Sequence, residues 1–476
     1  MNALPSSWRL CAMLCALAAG GCASPPAIDA SRLPAVPASF APAEGRWTTA
    51  APAVLPPAGE WWKAFADPVL DALQAQAMQR NDRIQVAAAR LQQARAVLRT
   101  VEARRLPLLG FSAGASRGTQ PATGSTAGGQ FFAGLGLSYE ADVFGRIARA
   151  SDAASLDAAS RSSLLRSAQL LIQAEVAQAY FGLRALDAEK QIVNDTVQAF
   201  TDTLKLTQAR FRAGDVAELD VARVHTEKAA AESQAFAVQR ERTELEHALA
   251  VLVGEVATNF SVAAQPLQGV PPVIPAGVPS TVLARRPDVS AARESLLAAQ
   301  ARVGVAQAAW FPELQLTASG GVSSSQLADV FKWSARSWGI GALLSLPIFD
   351  GRREGTIAAA AAEMDAALYA YREQILVAFR DVEDQLSALH LLDGQARAET
   401  QAVASASRAT ALSRARYRNG LISQLELLDA QRNELRSRRM ETQVRALSFQ
   451  ATVRLVRALG GAWDEGLAQT AEPGAR

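Results

Sequence analysis

The stretch Ala209-Arg210-Phe211-Arg212-Ala213-Gly214 returns later in the chain as Ala415-Arg416-Tyr417-Arg418-Asn419-Gly420. The closing glycines lie 206 residues apart, since 420 − 214 = 206. A nearly constant offset over more than 100 residues indicates a duplicated unit. The other pairs that recur at offsets of 205 to 207 are Gln93-Ala94-Arg95 with Gln300-Ala301-Arg302, Leu106-Pro107 with Phe311-Pro312, Phe144-Gly145-Arg146 with Asp350-Gly351-Arg352, and Leu252-Val253-Gly254 with Ala458-Leu459-Gly460.

Long helices are predicted on both sides of each repeated glycine turn. Within 165–211, apolar residues recur at gaps of three, four or seven, which is the spacing of helices that pack side by side. Residues 146–213 contain no proline and only one glycine. A helix of that length would be roughly 100 Å long at 1.5 Å per residue, which is too long for a compact domain. The predicted helices are 145–213, 218–254, 351–419 and 423–459.

Two strands are predicted before each pair of long helices. Apolar residues alternate there with small or polar ones, which is the period of a β-strand with two different faces. Each run is about long enough to cross an outer membrane at a tilt. The same alternation also suits a half-buried sheet in a soluble protein. The predicted strands are 108–117, 130–142, 313–323 and 337–347.

A sheet of four strands cannot lie alone in a membrane. Unpaired backbone groups at its edges would face hydrocarbon, which costs several kcal/mol each. Four strands are too few to close a barrel, because about eight are needed. Two copies of the chain would give eight strands with a filled interior, and three copies would give twelve strands with an open pore. Periodicity alone does not choose between them.

The N-terminus has the pattern of an exported protein. Arg9 is followed by a short apolar run and then by Gly20-Gly21-Cys22, which resembles a bacterial lipobox. We therefore predict a signal peptide at 1–21 and lipidation of Cys22; an ordinary signal peptide with an incidental cysteine is the alternative. Ala23 favours the outer membrane in the lipoproteins that this segment resembles. Residues 22–60 are rich in proline and predict an extended tether.

Composition excludes several other classes of protein. The net charge of +2 argues against a nucleic-acid partner. The three histidines are far apart and have no cysteines near them, so no metal site is predicted. We see no pairing of nucleophile and base and no phosphate-binding loop, so we predict neither an enzyme nor a cofactor other than the covalent lipid at Cys22.

The mature chain resembles the TolC-like outer-membrane factor family, and within it the NodT-type efflux lipoproteins. The resemblance covers nearly all of the mature chain. Each short motif is weak by itself, but together they occur in the family's order and in the duplicated arrangement. The motifs are Trp61-Trp62, Phe65-Ala66-Asp67-Pro68, Ala89-Arg90-Leu91, Tyr139-Glu140-Ala141-Asp142-Val143-Phe144-Gly145-Arg146, Arg285-Arg286-Pro287-Asp288-Val289, Leu346-Pro347-Ile348-Phe349-Asp350-Gly351-Arg352, Leu427-Leu428-Asp429-Ala430-Gln431, and Leu459-Gly460-Gly461-Ala462-Trp463.

The resemblance implies a homotrimer in which three chains share a twelve-stranded barrel in the outer-membrane lipid. The helices would form an α-barrel that extends into the periplasm. The Gly214 and Gly420 turns, with Arg212 and Arg418 beside them, would meet a periplasmic adaptor protein and an inner-membrane RND-type pump. Passage of small molecules is then the expected function. Two alternatives are the duct of a type I protein secretion system and a lipid-anchored periplasmic scaffold.

A gate is implied near the second turn. In relatives, the matching residues line a closed aperture. The resemblance implies that Leu425 forms a hydrophobic constriction and that Asp429 and Arg432 make polar links between neighbouring helices, with Tyr417 as a further link. Positions 425, 429 and 432 share one helix face, although Asp429 and Arg432 could equally be a solvated pair. The repeat places Arg223 at the position equivalent to Asp429 (429 − 206 = 223). We hypothesise that these opposite charges pair between neighbouring hairpins.

These inferences predict a mainly α-helical fold with membrane β-strands, in which duplicated hairpins build a trimeric α-barrel and β-barrel. The predicted division is signal peptide 1–21, tether 22–60, first repeat 61–260, linker 261–286, second repeat 287–463 and C-terminal tail 464–476.

Overall fold

The computed structural model describes residues 26–37, 40, 59–118, 128–274 and 279–461. The predicted signal peptide, Cys22, most of the tether and the C-terminal tail lie outside these residues. The chain divides into two compact units. The first comprises Met1–Leu33, Ala89–Ser163 and Ala291–Glu373, and the second comprises Pro34–Ala88, Leu164–Ser290 and Gln374–Arg476.

The first unit contains one antiparallel sheet. Its strands follow one another in chain order, β1-β2-β3-β4. Leu109 pairs with Leu137, and Ala318 pairs with both Leu137 and Ile340, so apolar side chains of all four strands share one face. The strands are β1 (Leu108–Gly118), β2 (Gly128–Ala141), β3 (Glu313–Ser324) and β4 (Arg336–Ser345).

One helical hairpin follows each pair of strands along the chain. The first is formed by α3 (Arg146–Arg212) and α4 (Glu218–Leu252), and the second by α7 (Arg353–Arg418) and α8 (Gln424–Ala458). Their ends, and those of the four strands, lie within two residues of the ends expected from the sequence. The prediction of a mainly helical chain with four strands is therefore confirmed.

Shorter helices precede each pair of strands: α1 (Pro68–Arg80), α2 (Asp82–Glu102), α5 (Pro279–Arg285) and α6 (Pro287–Gln307). The Asp67 carboxylate accepts hydrogen bonds from the N–H groups of Val69 (2.9 Å) and Leu70 (3.2 Å) and so caps α1. Pro68 occupies the first helical position, where its missing N–H has no helical partner to lose.

The second unit has an extensive apolar core. Trp61 is buried in it, and its indole Nε1 donates to Gln173 Oε1 (3.0 Å). A buried charged group then joins the linker to the first hairpin. The Arg242 guanidinium donates to Asp187 (2.6 Å), to Glu246 (2.9 Å) and to the Val262 carbonyl (2.7 Å). The charge of Arg242 is thereby paired in a largely buried site.

The duplication is visible at the ends of both hairpins. Gly254 and Gly460 follow α4 and α8 with φ of +73° and +91°, which favours glycine. A Cβ atom on Gly254 would lie 2.7 Å from the Arg80 carbonyl oxygen, and one on Gly460 would lie 2.9 Å from that of Arg285. In each repeat, therefore, the end of the hairpin contacts backbone at the end of a preceding short helix.

Among the described residues, no helix combines the length and the apolar character needed to cross a membrane. The same residues contain no cluster of three or more His, Cys, Asp or Glu side chains that could bind a metal ion.

Candidate functional site

The two hairpin turns, both in the second unit, have the same backbone geometry. Gly214 and Gly420 adopt φ of +84° and +72°. The Asp215 N–H donates to the Arg210 carbonyl and the Leu421 N–H to the Arg416 carbonyl, each at 2.9 Å. Each glycine N–H donates to the carbonyl three residues earlier at 3.0 Å. This is a Schellman motif, which ends a helix by satisfying its last carbonyl groups.

The helices that leave the turns begin differently. Ser423 and Glu426 form a capping box at the start of α8, in which each side chain bonds to the other residue's backbone N–H. Ala217 precedes α4 and provides no side-chain cap, but Glu218 and Asp220 place negative charge in the first turn. Both arrangements stabilise a helix N-terminus, so the turns keep one shape with different side chains.

Tyr417 lies at a junction between the two hairpins. Its side chain is buried, and its hydroxyl lies 3.2 Å from Thr207 Oγ1 of α3. Thr207 also donates to Gln424 Oε1 (3.1 Å). Arg210 stacks on the Tyr417 ring, with Cζ 5.0 Å from its centroid, and donates to the Tyr417 carbonyl. The tyrosine that the resemblance singled out therefore joins α3 to α7 and α8 within one chain.

A column of buried polar groups continues from this junction. Gln431 of α8 donates to Thr203 Oγ1 of α3 at 3.3 Å. Gln424 Nε2 and Gln431 Oε1 are buried without a hydrogen-bond partner among the described residues. A cavity of about 800 Å³, lined by Thr203, Tyr417 and Gln431 among others, adjoins Gln431; it has polar groups in its wall and is large enough for water.

An ion pair close to this junction, between Arg432 of α8 and Glu227 of α4, also links the two hairpins. The Arg432 Nε donates to Glu227 Oε2 at 2.9 Å, and an NH2 group donates to Oε1. This hydrogen bond lowers the pKa of Glu227 below its usual value and raises the pKa of Arg432. A link from Arg432 to a neighbouring helix was expected from the sequence, but its partner Glu227 was not. The position in the first repeat that is equivalent to Arg432 is Thr226 (432 − 206 = 226), which directly precedes Glu227 in the chain.

Arg223 and Asp429 each contact their own helix. Arg223 forms an ion pair with Asp220 (3.6 Å), and Asp429 accepts a hydrogen bond from Asn433 (3.3 Å). All four side chains lie on hairpin surfaces in the single chain. The hypothesis that Arg223 pairs with Asp429 between neighbouring hairpins therefore stays a prediction, and it now concerns contacts between chains.

Leu425, expected to form a hydrophobic constriction, is 53% exposed in the first turn of α8. Its repeat equivalent Leu219 (425 − 206 = 219) is 58% exposed in the first turn of α4. Arg212 and Arg418 are exposed in the last turns of α3 and α7. The turn end of each hairpin thus exposes a leucine and an arginine at positions that are equivalent in the two repeats.

Paired long helices with matched turns, each preceded by two strands, define the class of TolC-like channel-tunnel proteins. The family model described as "Outer membrane efflux protein" matches residues 73–255 and 278–461, one range in each repeat. The chain therefore belongs to the outer membrane efflux protein family, and the resemblance noted in the sequence is confirmed.

Individual relatives agree with this assignment. The pyoverdine export outer membrane protein OpmQ of Pseudomonas aeruginosa is 34% identical over 466 residues, which cover 94% of this chain and 96% of OpmQ. The outer membrane protein OprJ of the same organism is 33% identical over 487 residues, covering 98% of both. The structure of the outer-membrane channel OprN has a TM-score of 0.85 at 29% identity and covers 92% of this chain and 98% of OprN. The predicted function as an outer-membrane efflux component is confirmed.

Proposed function

We propose that three copies of the chain form the exit duct of a tripartite efflux pump, supplied by a periplasmic adaptor and an inner-membrane RND-type pump. The observation that carries this proposal is similarity over nearly the whole chain to outer-membrane components named for small-molecule export. These include the pyoverdine protein OpmQ and the toluene efflux protein TtgI of Pseudomonas putida. Small molecules are therefore the proposed cargo.

The trimer is supported by the sheet. Its outer strands, β1 and β4, each pair with one strand in the described part of the chain, so each leaves one edge open. Leu109, Phe111 and Ile340 are largely exposed on the apolar face, which suits lipid. Three copies supply twelve strands, enough to close the edges around an open pore, whereas two copies would give a filled barrel.

Transport through such a duct needs no covalent chemistry, so the proposed role is not enzymatic and uses no cofactor. Covalent lipid at Cys22 would hold the chain at the outer membrane. The closed aperture lies at the turn end, where Leu425 narrows the passage and Asp429, Arg432, Tyr417 and Arg223 link adjacent helices. Arg432 already bonds to the other hairpin of its own chain, which supports a linking role.

The adaptor would contact the turns, with Gly214 and Gly420 setting their shape. Arg212 and Arg418 are exposed there, and each is the last residue of its long helix. A cation in that position is favoured by the helix dipole, so the side chain needs no acidic partner in the chain itself. It remains available for a carboxylate or carbonyl of the adaptor.

A gene deletion with complementation tests the proposal. We expect the deletion strain to accumulate ethidium and wild-type protein to restore efflux. The Arg212→Glu/Arg418→Glu variant should fail to restore efflux while its trimer yield, measured by light scattering, is unchanged. Arg240→Glu, a charge reversal at an exposed mid-helix position, is the matched control and should restore efflux.

Two results would contradict the proposal. Unchanged ethidium accumulation together with loss of a secreted polypeptide would assign the chain to protein secretion. A purified chain that stays monomeric and forms no pore in planar bilayers would indicate a scaffold. Lipidation is tested separately, since Cys22→Ser should abolish metabolic labelling with palmitate.

A further inference from the structure

The internal duplication defines how the open sheet edges of two copies should meet. β2 and β3 are joined within the chain although they belong to different repeats. The equivalent joint for β4, the last strand of the second repeat, is with β1 of the next copy. The observed β2–β3 pairing is therefore a template for the joint between subunits.

The repeat offset for each strand follows from the observed pairing. Leu109 in β1 and Leu314 in β3 lie on the same apolar face, so the offset that relates β1 to β3 is an odd number. The offset is 205 for these two leucines (314 − 109) and also for the prolines that precede the strands, Pro107 and Pro312 (312 − 107). Residue numbers of partners sum to 246 between β1 and β2 (108 + 138) and to 658 between β3 and β4 (313 + 345). The difference is 412, so β2 and β4 differ by 412 − 205 = 207.

These offsets convert the internal joint into the joint between subunits. The pair Ala141–Leu314 within the chain corresponds to the pair Ile348–Leu109 between subunits (141 + 207 = 348; 314 − 205 = 109). Leu137 with Ala318 becomes Leu344 with Ala113. Ala133 with Val322 becomes Ile340 with Arg117. We propose that β4 of one subunit pairs with β1 of the next in this register, from Ile348–Leu109 to Ile340–Arg117. The proposal rests on the proposed oligomer but goes beyond it by assigning the residue pairs.

The register extends β4 beyond its end in the single chain. β4 stops at Ser345, whereas the template continues it to Ile348. Leu346 is half-exposed and Ile348 is 95% exposed in the single chain, so both are available for contact with another subunit. In the proposed register they lie opposite Phe111 and Leu109 of the next subunit, two apolar cross-strand pairs on the same face.

Pro347 fits the extended strand despite its missing N–H group. Its carbonyl accepts a hydrogen bond from Arg353 (2.6 Å), whose guanidinium stacks on Trp310, just before β3, with Cζ 4.4 Å from the ring centroid. The Pro347 carbonyl is therefore hydrogen-bonded within its own chain. In the extended strand of the proposed register, successive residues turn their backbone groups to opposite edges, so Leu346 and Ile348 would present theirs to the next subunit.

Cysteine cross-linking tests the register. Ala113→Cys is combined in turn with Ala342→Cys, Leu344→Cys and Leu346→Cys, three positions on one strand face, and covalent trimer is quantified after oxidation. We expect the 113–344 combination to give most of the covalent trimer. Directly opposite Cβ atoms lie about 4.5–5.5 Å apart and diagonal ones about 7–8 Å, beyond disulfide reach.

The outcomes separate this proposal from the proposed function. Strongest cross-linking at 342 or 346, or none in a protein that is trimeric by light scattering and conducts ions, overturns the register and leaves the duct intact. A monomeric protein without conductance overturns both. Each single-cysteine variant is the control for unspecific oxidation and should give no covalent trimer.

Discussion

Arg432 of α8 and Glu227 of α4 join the two hairpins of one chain through a pair of hydrogen bonds. The Glu227 side chain is 17% exposed and that of Arg432 50%, so the pair lies at the edge of the junction. Ion pairs this accessible typically contribute at most about 1 kcal/mol, because water screens the charges. The Arg432–Glu227 pair is therefore expected to shift the balance between two arrangements of the hairpins and not to affect folding.

Removal of either partner should loosen the closed aperture. We predict that Glu227→Gln and Arg432→Gln each raise the closed-state conductance in planar bilayers, and that the double variant adds little, because both substitutions remove the same interaction. Arg436→Gln, an exposed charge one turn further along α8, is the control and should conduct like the wild type. Fully additive increases would mean that the two residues act independently.

The same pair predicts a dependence on pH. Arg432 lowers the pKa of Glu227, so the pair's contribution is fully present above the ordinary glutamate pKa and is lost only as pH falls through the lower folded-state value. Closed-state conductance should stay constant from pH 7 to about 5 and rise below about 4.5. Glu227→Gln should remove that rise. A rise already complete at pH 5.5 would point to another group, such as a histidine.

The sequence was sufficient to predict the hairpins, the strands and the turn glycines. These features depend on local periodicity and on a duplicated pattern, both of which are visible without coordinates. The contacts of Tyr417 could not be predicted from the sequence in the same way. Its repeat equivalent Phe211 (417 − 206 = 211) is exposed, whereas Tyr417 is buried against Thr207. Equivalent positions meet different neighbours because the two hairpins contact each other, so duplication alone does not identify partners.

Glycines with positive φ should differ in their tolerance of alanine. We predict that Gly214→Ala costs about 1–2 kcal/mol, because only the left-handed conformation is strained and no atom lies within 4 Å of the added Cβ. Gly254→Ala should cost clearly more, because its Cβ would also collide with the Arg80 backbone at 2.7 Å. Denaturant unfolding of both variants measures the difference. Equal costs would show that the junction with Arg80 yields easily.

Ile348 lies at one end of the proposed joint between subunits. Ile348→Asp should not disturb the single chain, in which the side chain is almost fully exposed, but it should place a carboxylate opposite Leu109 of the next subunit. Burying an unpaired charge there costs several kcal/mol, so we expect a strong loss of trimer relative to monomer in detergent, measured by light scattering. Leu327→Asp, at a position exposed by 65% in the segment between β3 and β4, is the matched control and should leave the trimer intact. A stable Ile348→Asp trimer would show that β4 ends at Ser345 in the assembly as well, and that the next subunit does not reach this residue.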